Sequence, residues 1–336
     1  MKRLFVFVLG VSFPALAASP REVVVYSSVD DVFARPIAEK FERETGIKVK
    51  LVPDTEETKS TGLLNRLIAE KARPQADVFW SGDPVRAAIL KSKGVTASYR
   101  SPQAKGLPRL FSDPEGHWTG FSSRARIILF NKNAVAAQDA PTSVKDLASP
   151  KFKGKTCIAN PLFGTTSMHA AALFQAIGDE EARKLLDAMA ANEIQVLSSN
   201  GEVRRRVSSG DCSFGVTDTD DAFEAVHDGK PVGVVFPDEK GMGTLLVPNA
   251  AVLIAGAPHA DAAKQFIDYL LSPGTEKALA ESDAAQMPVR RGVKAPSHVR
   301  PIEKIKPMKV DYAKLAPKLE ELSHGFLKQW VEKTRH

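Results

Sequence analysis

The chain has 336 residues, of which 43% are apolar and 26% charged. That length is enough for two domains, and the composition is that of a globular protein with nothing to suggest disorder. The formal net charge of +6 is modest, and no basic run is interleaved with stacking aromatics or a base-reading motif, so a nucleic-acid partner is not expected.

The first 17 residues combine Lys2 and Arg3, the apolar run LFVFVLGVSF and the small-residue end Ala15-Leu16-Ala17. This pattern predicts a cleaved secretory signal and a mature chain starting near Ala18 outside the cytoplasm. The run is too short to cross a bilayer comfortably. Losing Lys2 and Arg3 lowers the net charge from +6 to +4.

Residues 22–26 (EVVVY) form a short apolar strand whose end presents Ser27, Ser28 and Asp30. Phe33, Ile37 and Phe41 then recur at helical spacing up to Gly46, and residues 47–52 (IKVKLV) alternate as a half-exposed strand. A polar loop over 54–61 leads into a helix over 62–72. A buried strand over 76–80 (ADVFW) ends in Ser81, Gly82, Asp83 and Pro84, placing Ser81 where Ser27 lies. Ligands of open α/β sheets bind at such carboxyl ends.

Residues 120–131 (GFSSRARIILFN) read as a long mixed strand, and residues 142–148 and 179–192 as helices. Between those helices lies the stretch 157–169 (CIANPLFGTTSMH): a strand end, a turn through Pro161 and Gly164, and a helix opened by Thr165, Thr166 and Ser167. The first amides of such a helix lack internal partners and carry partial positive charge, so with these hydroxyls they make a pocket for an anionic or polar ligand. Hydroxyls that merely cap the helix are the alternative. Residues 198–208 add a Ser-Asn-Gly loop and an Arg-rich helix. Residues 214–221 (FGVTDTDD) repeat the strand-end layout and finish in Asp218, Asp220 and Asp221. Residues 243–255 form a second long strand, 261–271 an amphipathic helix, 288–307 a proline-rich strap with a basic solvated face, and 315–330 one terminal helix with Leu315, Leu319, Leu322, Phe326 and Trp330 on a single face.

The two cysteines, Cys157 and Cys212, each precede a polar strand end; in an exported protein a disulfide between them is expected, with two buried thiols as the alternative. A secreted enzyme is the distant alternative function. The seven histidines show no paired metal spacing, and Gly154-Lys155-Thr156 lacks the leading glycine of a phosphate loop, since Ser149 stands there.

The blocks YSSVDDVFARPIAEKFERETGIKVKLV, PQADVFWSGDP, GKTCIANPLFGTTSMHAAALF, GVTDTDDA and VVFPDEKGMGTLLVPNAAVLI, followed by KQFIDYLLSP, together resemble the periplasmic ferric-iron-binding class of ABC-importer solute receptors over nearly all of the mature chain. The resemblance implies an α/β fold of the type II periplasmic-binding class: two lobes joined by two crossing hinge strands that close on a solute. It divides the chain into residues 18–120 with 250–290 as the first lobe, 121–249 as the second lobe with the hinge strands, and 291–336 as a C-terminal strap and helix. It also implies a monomer that delivers its solute to an importer permease and carries no cofactor, Fe(III) being a transported ligand.

Ferric receptors of this class grip the metal with adjacent tyrosines, a histidine and a glutamate, because Fe(III) favours anionic oxygen donors. The matching positions are Asp220 and Asp221 for the tyrosines, Asp30 for the histidine, and Gly82, beside Asp83, for the glutamate. All depart from the usual set. Two readings therefore stand: a metal held by Asp30, Asp220 and Asp221, or a small anionic or phosphorylated organic solute. The ligand-binding set expected is Ser27, Ser28, Asp30, Ser81, Thr165, Thr166, Ser167, Asp218, Asp220 and Asp221.

Overall fold

The computed structural model describes residues 21–55 and 58–334. The expected leader over residues 1–17 lies outside them. The first half runs β1 (Glu22–Ser27), α1 (Asp31–Thr45), β2 (Lys48–Pro53), α2 (Thr61–Ala69), β3 (Val78–Ser81), α3 (Pro84–Ser92), the short β4 (Thr96–Ala97) and the long β5 (Thr119–Asn131). Beyond it come β6 (Thr156–Ala159), α4 (Gly164–Ile177), α5 (Asp179–Ala191), β7 (Gln195–Leu197), α6 (Asn200–Ser209), β8 (Phe214–Asp218), α7 (Thr219–His227) and β9 (Val232–Val235). The chain returns through β10 (Leu246–Ile254), α8 (Ala260–Leu270) and α9 (Pro273–Glu281), and ends in α10 (Tyr312–His324) and α11 (Phe326–Thr334).

The strand order is β2-β1-β3-β10-β5-β8-β6-β7, with β9 on the other side of β5. β1 is parallel to β2 and β3, and β6 is parallel to β7 and β8. β5 is shared between two lobes: its Thr119–Ala125 half pairs with β10, and its Arg126–Asn131 half pairs with β8 and β9. β10 pairs with β3 of the first lobe as well as with β5. These are the two crossing strands that the sequence resemblance implied. Because β1 and β6 run parallel to their neighbours, their carboxyl ends, with that of β8, open toward one gap between the lobes.

The crossing is kinked by a register shift between Pro248 and Asn249, opposite Ser122, whose φ of 33° lies in the left-handed region. The kink is fastened by polar side chains. Asn249 donates from Nδ2 to the Ser122 carbonyl and to Gln286 Oε1, both at 2.7 Å. The Ser122 amide donates to Glu276 Oε1 at 3.0 Å, so α9 holds the bend.

Three expectations need correction. The helix over 142–148 is a 3-10 turn, Val144–Ala148, started by a Ser143–Asp146 capping box and stopped at Ser149 ahead of Pro150. The single terminal helix is two helices broken at Gly325, which lets Trp330 turn inward and donate from Nε1 to the Leu186 carbonyl at 2.7 Å. α4 begins at Gly164 with Phe163 in the capping position and no side-chain cap. Thr165, Thr166 and Ser167 therefore lie inside its first turn rather than capping it.

Cys157 and Cys212 are joined by a disulfide, Cα atoms 6.1 Å apart and 55 residues apart in sequence. The bond ties β6 to the loop entering β8. Replacing both cysteines with serine should lower unfolding stability by about 2–5 kcal/mol, read by urea titration. Thiol counting on denatured wild-type protein should find no free thiol before reduction and two after it.

Candidate functional site in the cleft between the lobes

The lobes enclose a cavity of about 440 Å³. The first lobe contributes Ser28, Asp30, Lys59 and Ser60. From the second lobe come the turn before α4, the starts of α4 and α6, and the acidic start of α7. Three helix N-termini thus converge on one space. Among the described residues the amides of Thr165 and Thr166 receive no cap from a side chain, so both face the cavity as open donors.

Beneath this wall lies a buried arginine. Arg126 is fully buried on β5, where it donates from Nη1 to Asp218 Oδ1 at 2.9 Å, Thr165 Oγ1 at 3.0 Å and Asn200 Oδ1 at 3.1 Å. Its Nη2 reaches Thr166 Oγ1 at 3.1 Å and the Val216 carbonyl at 3.3 Å. Asp218 also accepts from Arg124 Nη1 at 3.1 Å and from the Thr165 hydroxyl at 2.7 Å. Arg124 reaches across to the first lobe, donating to the Gly82 carbonyl at 2.5 Å. An ion pair at this depth depends on dense hydrogen bonding of this kind, and here it is carried by the terminal nitrogens, the Nε of Arg124 and of Arg126 having no partner among the described residues. Burial works to raise the Asp218 pKa, but Arg126 and Arg124 outweigh it and hold the carboxyl below the usual range.

The neighbouring carboxylates behave differently. Asp220 is 7% exposed, and among the described residues it pairs with Arg124 at 3.7 Å. Asp221 accepts from the Thr217 hydroxyl at 2.6 Å. Burial, followed by Asp220 and Asp218, pushes Asp221 up to about 7. Burial pushes Asp220 in the same direction, against the pull of Arg124. On the facing wall Lys59 pairs with Asp30; burial and then Arg124 push its ammonium down to about 8.

A model for bacterial extracellular solute-binding proteins matches residues 36–306 of the chain. The chain is a member of that family. A curated relative, iron uptake protein A1 of Synechocystis, is 29% identical over 311 residues, 89% of this chain and 84% of the relative. Among solved structures, iron-bound HitA of Pseudomonas aeruginosa superposes with a TM-score of 0.83 at 23% identity, covering 93% of this chain and 99% of HitA. AfuA of Actinobacillus pleuropneumoniae, solved with fructose 6-phosphate, superposes equally well at 0.83 and 23% identity, covering 94% and 99%. The fold is therefore the type II periplasmic-binding fold.

The receptor brings Ser28, Asp30, Thr165, Thr166, Asp218, Asp220 and Asp221 to the cavity wall. Three other expected residues lie behind it. Ser27 Oγ accepts from the Val29 amide at 3.2 Å, and Ser81 Oγ donates to the Asp83 carbonyl at 2.6 Å; both hydroxyls serve their own turns. Ser167 Oγ donates to the Gly164 carbonyl at 2.7 Å and accepts from Arg86 at 2.6 Å. Asp83 caps α3 through the Val85 and Arg86 amides, at 3.0 and 3.1 Å, and is fully buried there. Among the described residues no group of three or more acidic, histidine or cysteine side chains is gathered closely enough to hold a metal. The expected set Asp30, Asp220 and Asp221 is split, with Asp30 held by Lys59.

Sequence reasoning missed Lys59, Arg124, Arg126, Asn200 and Arg204. For the two arginines on β5 a signal existed: Arg-x-Arg inside an otherwise apolar, buried strand requires anionic partners. Lys59 and Arg204 sit in polar stretches where nothing distinguishes them from surface charges.

Two outcomes follow from this wall. Arg126→Met should cost about 3–5 kcal/mol in unfolding stability, because Asp218 loses its buried partner; chemical denaturation measures it. His169, a buried residue of α4, is pushed down to about 3 by burial and then by Arg126. The unfolded chain then binds a proton that the folded chain refuses between pH 3 and 6.5, so stability falls as pH drops through that window. The slope is about 1.4 kcal/mol per pH unit. His169→Gln should flatten that acid limb relative to wild type while leaving the curve above pH 7 unchanged, as followed by urea unfolding at stepped pH.

Proposed function

We propose that this solute-binding protein is the capture component of an ABC importer, works in the periplasm, and closes its cleft on a small organic anion such as a phosphorylated metabolite. The observation that carries the ligand reading is the pairing of open α4 amides with cationic side chains on one cavity wall. Helix N-termini and guanidinium groups hold multi-oxygen anions through charge-assisted hydrogen bonds. Arg126, Asn200 and Asp218 spend the Thr165 and Thr166 hydroxyls internally, leaving the amides of that turn for the guest.

Each tyrosine is engaged away from the cavity. Tyr26 donates to Glu70, Tyr99 donates to Asp268, Tyr269 packs on Phe41, and Tyr312 packs on Trp118. A bare ferric ion would meet Lys59 and Arg124 without a phenolate to offset them. The fructose 6-phosphate bound to AfuA is consistent with the organic-anion reading.

A second reading has support in the adjacent carboxylates of Asp220 and Asp221 and in the name of the Synechocystis relative. It is a ferric ion carried with an anion, the metal on the carboxylates and the anion on α4.

Calorimetric titration of protein unfolded, dialysed and refolded without ligand separates the readings. Phosphorylated sugars should bind with micromolar or tighter Kd, and Arg124→Met should weaken them at least tenfold. Binding of ferric citrate with no response to any organic phosphate would establish the second reading instead.

A further inference from the structure

The cavity wall has two poles, and a simple anion satisfies only one. At the first pole lie the open amides of Thr165 and Thr166, with Lys59 and Arg124 nearby. At the second lie Asp220 and Asp221. The other carboxylates of the wall each have a dedicated cation: Asp30 has Lys59, Asp218 has Arg126, and Glu224 has Arg204. Among the described residues Asp220 pairs with Arg124 at 3.7 Å, a guanidinium already given to Asp218 and the Gly82 carbonyl, and also feels the charge of Lys59. Asp221 takes the neutral Thr217 hydroxyl and feels the charge of Arg204.

Both carboxylates line the cavity. Asp220 is more than nine-tenths buried, and its Oδ2 faces Arg124 beyond hydrogen-bonding distance, while its Oδ1 takes the Asp221 amide. A buried carboxylate left without a counter-charge is costly. The same burial pushes both carboxyls above the usual carboxylate range. An inorganic anion at the first pole would leave that cost in place, and a bare cation at the second would leave the open amides unsatisfied.

We infer, building on the organic-anion reading above, that the guest is zwitterionic, a small aminoalkyl phosphate or phosphonate. Its multi-oxygen anion sits on the start of α4, and its ammonium lies between Asp220 and Asp221. An ammonium supplies three donors and a compact charge, which suits two adjacent carboxylates better than a sugar hydroxyl does. The linker between its charges is short. The Thr165 hydroxyl already touches Asp218 at 2.7 Å, and Asp220 follows two residues later, at most about 7 Å further along the chain. The phosphate or phosphonate end is argued from charge. Lys59 and Arg124 are already bonded to Asp30 and Asp218, so they act on the guest through their field beside the two open amides, which favours a doubly charged anion over a carboxylate.

The test is a matched panel titrated calorimetrically into ligand-free full-length mature protein: O-phosphoethanolamine, 2-aminoethylphosphonate, ethyl phosphate, ethylphosphonate, ethanolamine and ferric citrate. At least one ammonium-bearing compound should bind tenfold or more tighter than its ethyl counterpart, and ethanolamine alone should bind weakly. Which of the two binds tighter reports whether the anion is a phosphate or a phosphonate. Asp221→Asn and Asp220→Asn should each remove that preference. Because the wild-type comparison does not depend on either variant folding, it decides the matter alone. Equal affinity of the amino and ethyl compounds overturns the zwitterion while leaving the organic-anion reading intact. No binding of any phosphate or phosphonate, with ferric citrate bound, overturns both.

Discussion

The Arg126–Asp218 pair is the interaction on which the cleft depends. It joins a crossing strand to the end of β8, and through Thr165, Thr166 and Asn200 it fixes the starts of α4 and α6. Burying two charges is expensive, and the pair by itself is weak support for stability. Its value lies in register. Two helix starts and one strand end are placed by a single planar guanidinium whose donors point in fixed directions. The hydroxyls that look like ligand contacts in the sequence are the acceptors that make this possible.

A second set of contacts closes the lobes on each other around the same turn. Arg86 of the first lobe donates to Ser167 Oγ at 2.6 Å and the Gly164 carbonyl at 3.2 Å. The Gly164 amide donates to the Lys59 carbonyl at 3.0 Å, and Arg124 holds the Gly82 carbonyl. The conformation described is therefore one in which the lobes meet. Behind the cleft, α10 lies against both α3 and α4. Tyr312 packs edge-on to Trp118 with centroids 5.9 Å apart, and Lys93 pairs with Glu320 at 2.8 Å. Any opening about the kink at Ser122 and Asn249 has to accommodate that brace.

Within the cleft, one local charge distribution produces opposite effects on adjacent groups. Asp218 sits on the arginines and stays ionised; Asp221, only three residues on, faces other carboxylates and holds its proton toward neutrality. The difference comes from their partners: Asp218, ending β8, is bonded to Arg126 and Arg124, whereas Asp221, in the first turn of α7, is bonded to the Thr217 hydroxyl. Neighbouring residues are thereby divided, one aspartate bonded into the frame and the next two left to line the cavity.

Much of the frame was legible in the sequence. The apolar strands at EVVVY and ADVFW, the helix ending at Gly46 and the long strands over 120–131 and 243–255 follow from periodicity and turn chemistry, which act locally. The order of blocks carried the family and with it the two-lobed fold. The carboxylates and hydroxyls at strand ends marked the cleft for the same reason, since strand ends of parallel sheets open on one side. Tertiary structure alone decided which of them reach the guest. Ser27 and Ser81 close their own turns, Ser167 is taken by Arg86 from 81 residues away, and Ser28 lines the cavity while accepting the Gly82 amide from 54 residues away, so the last two depend on contacts no local pattern records. The break at Gly325 escaped the apolar pattern likewise, since Leu315 through Trp330 keep one face in sequence. Only the Leu186 carbonyl, distant in sequence, draws the tryptophan inward.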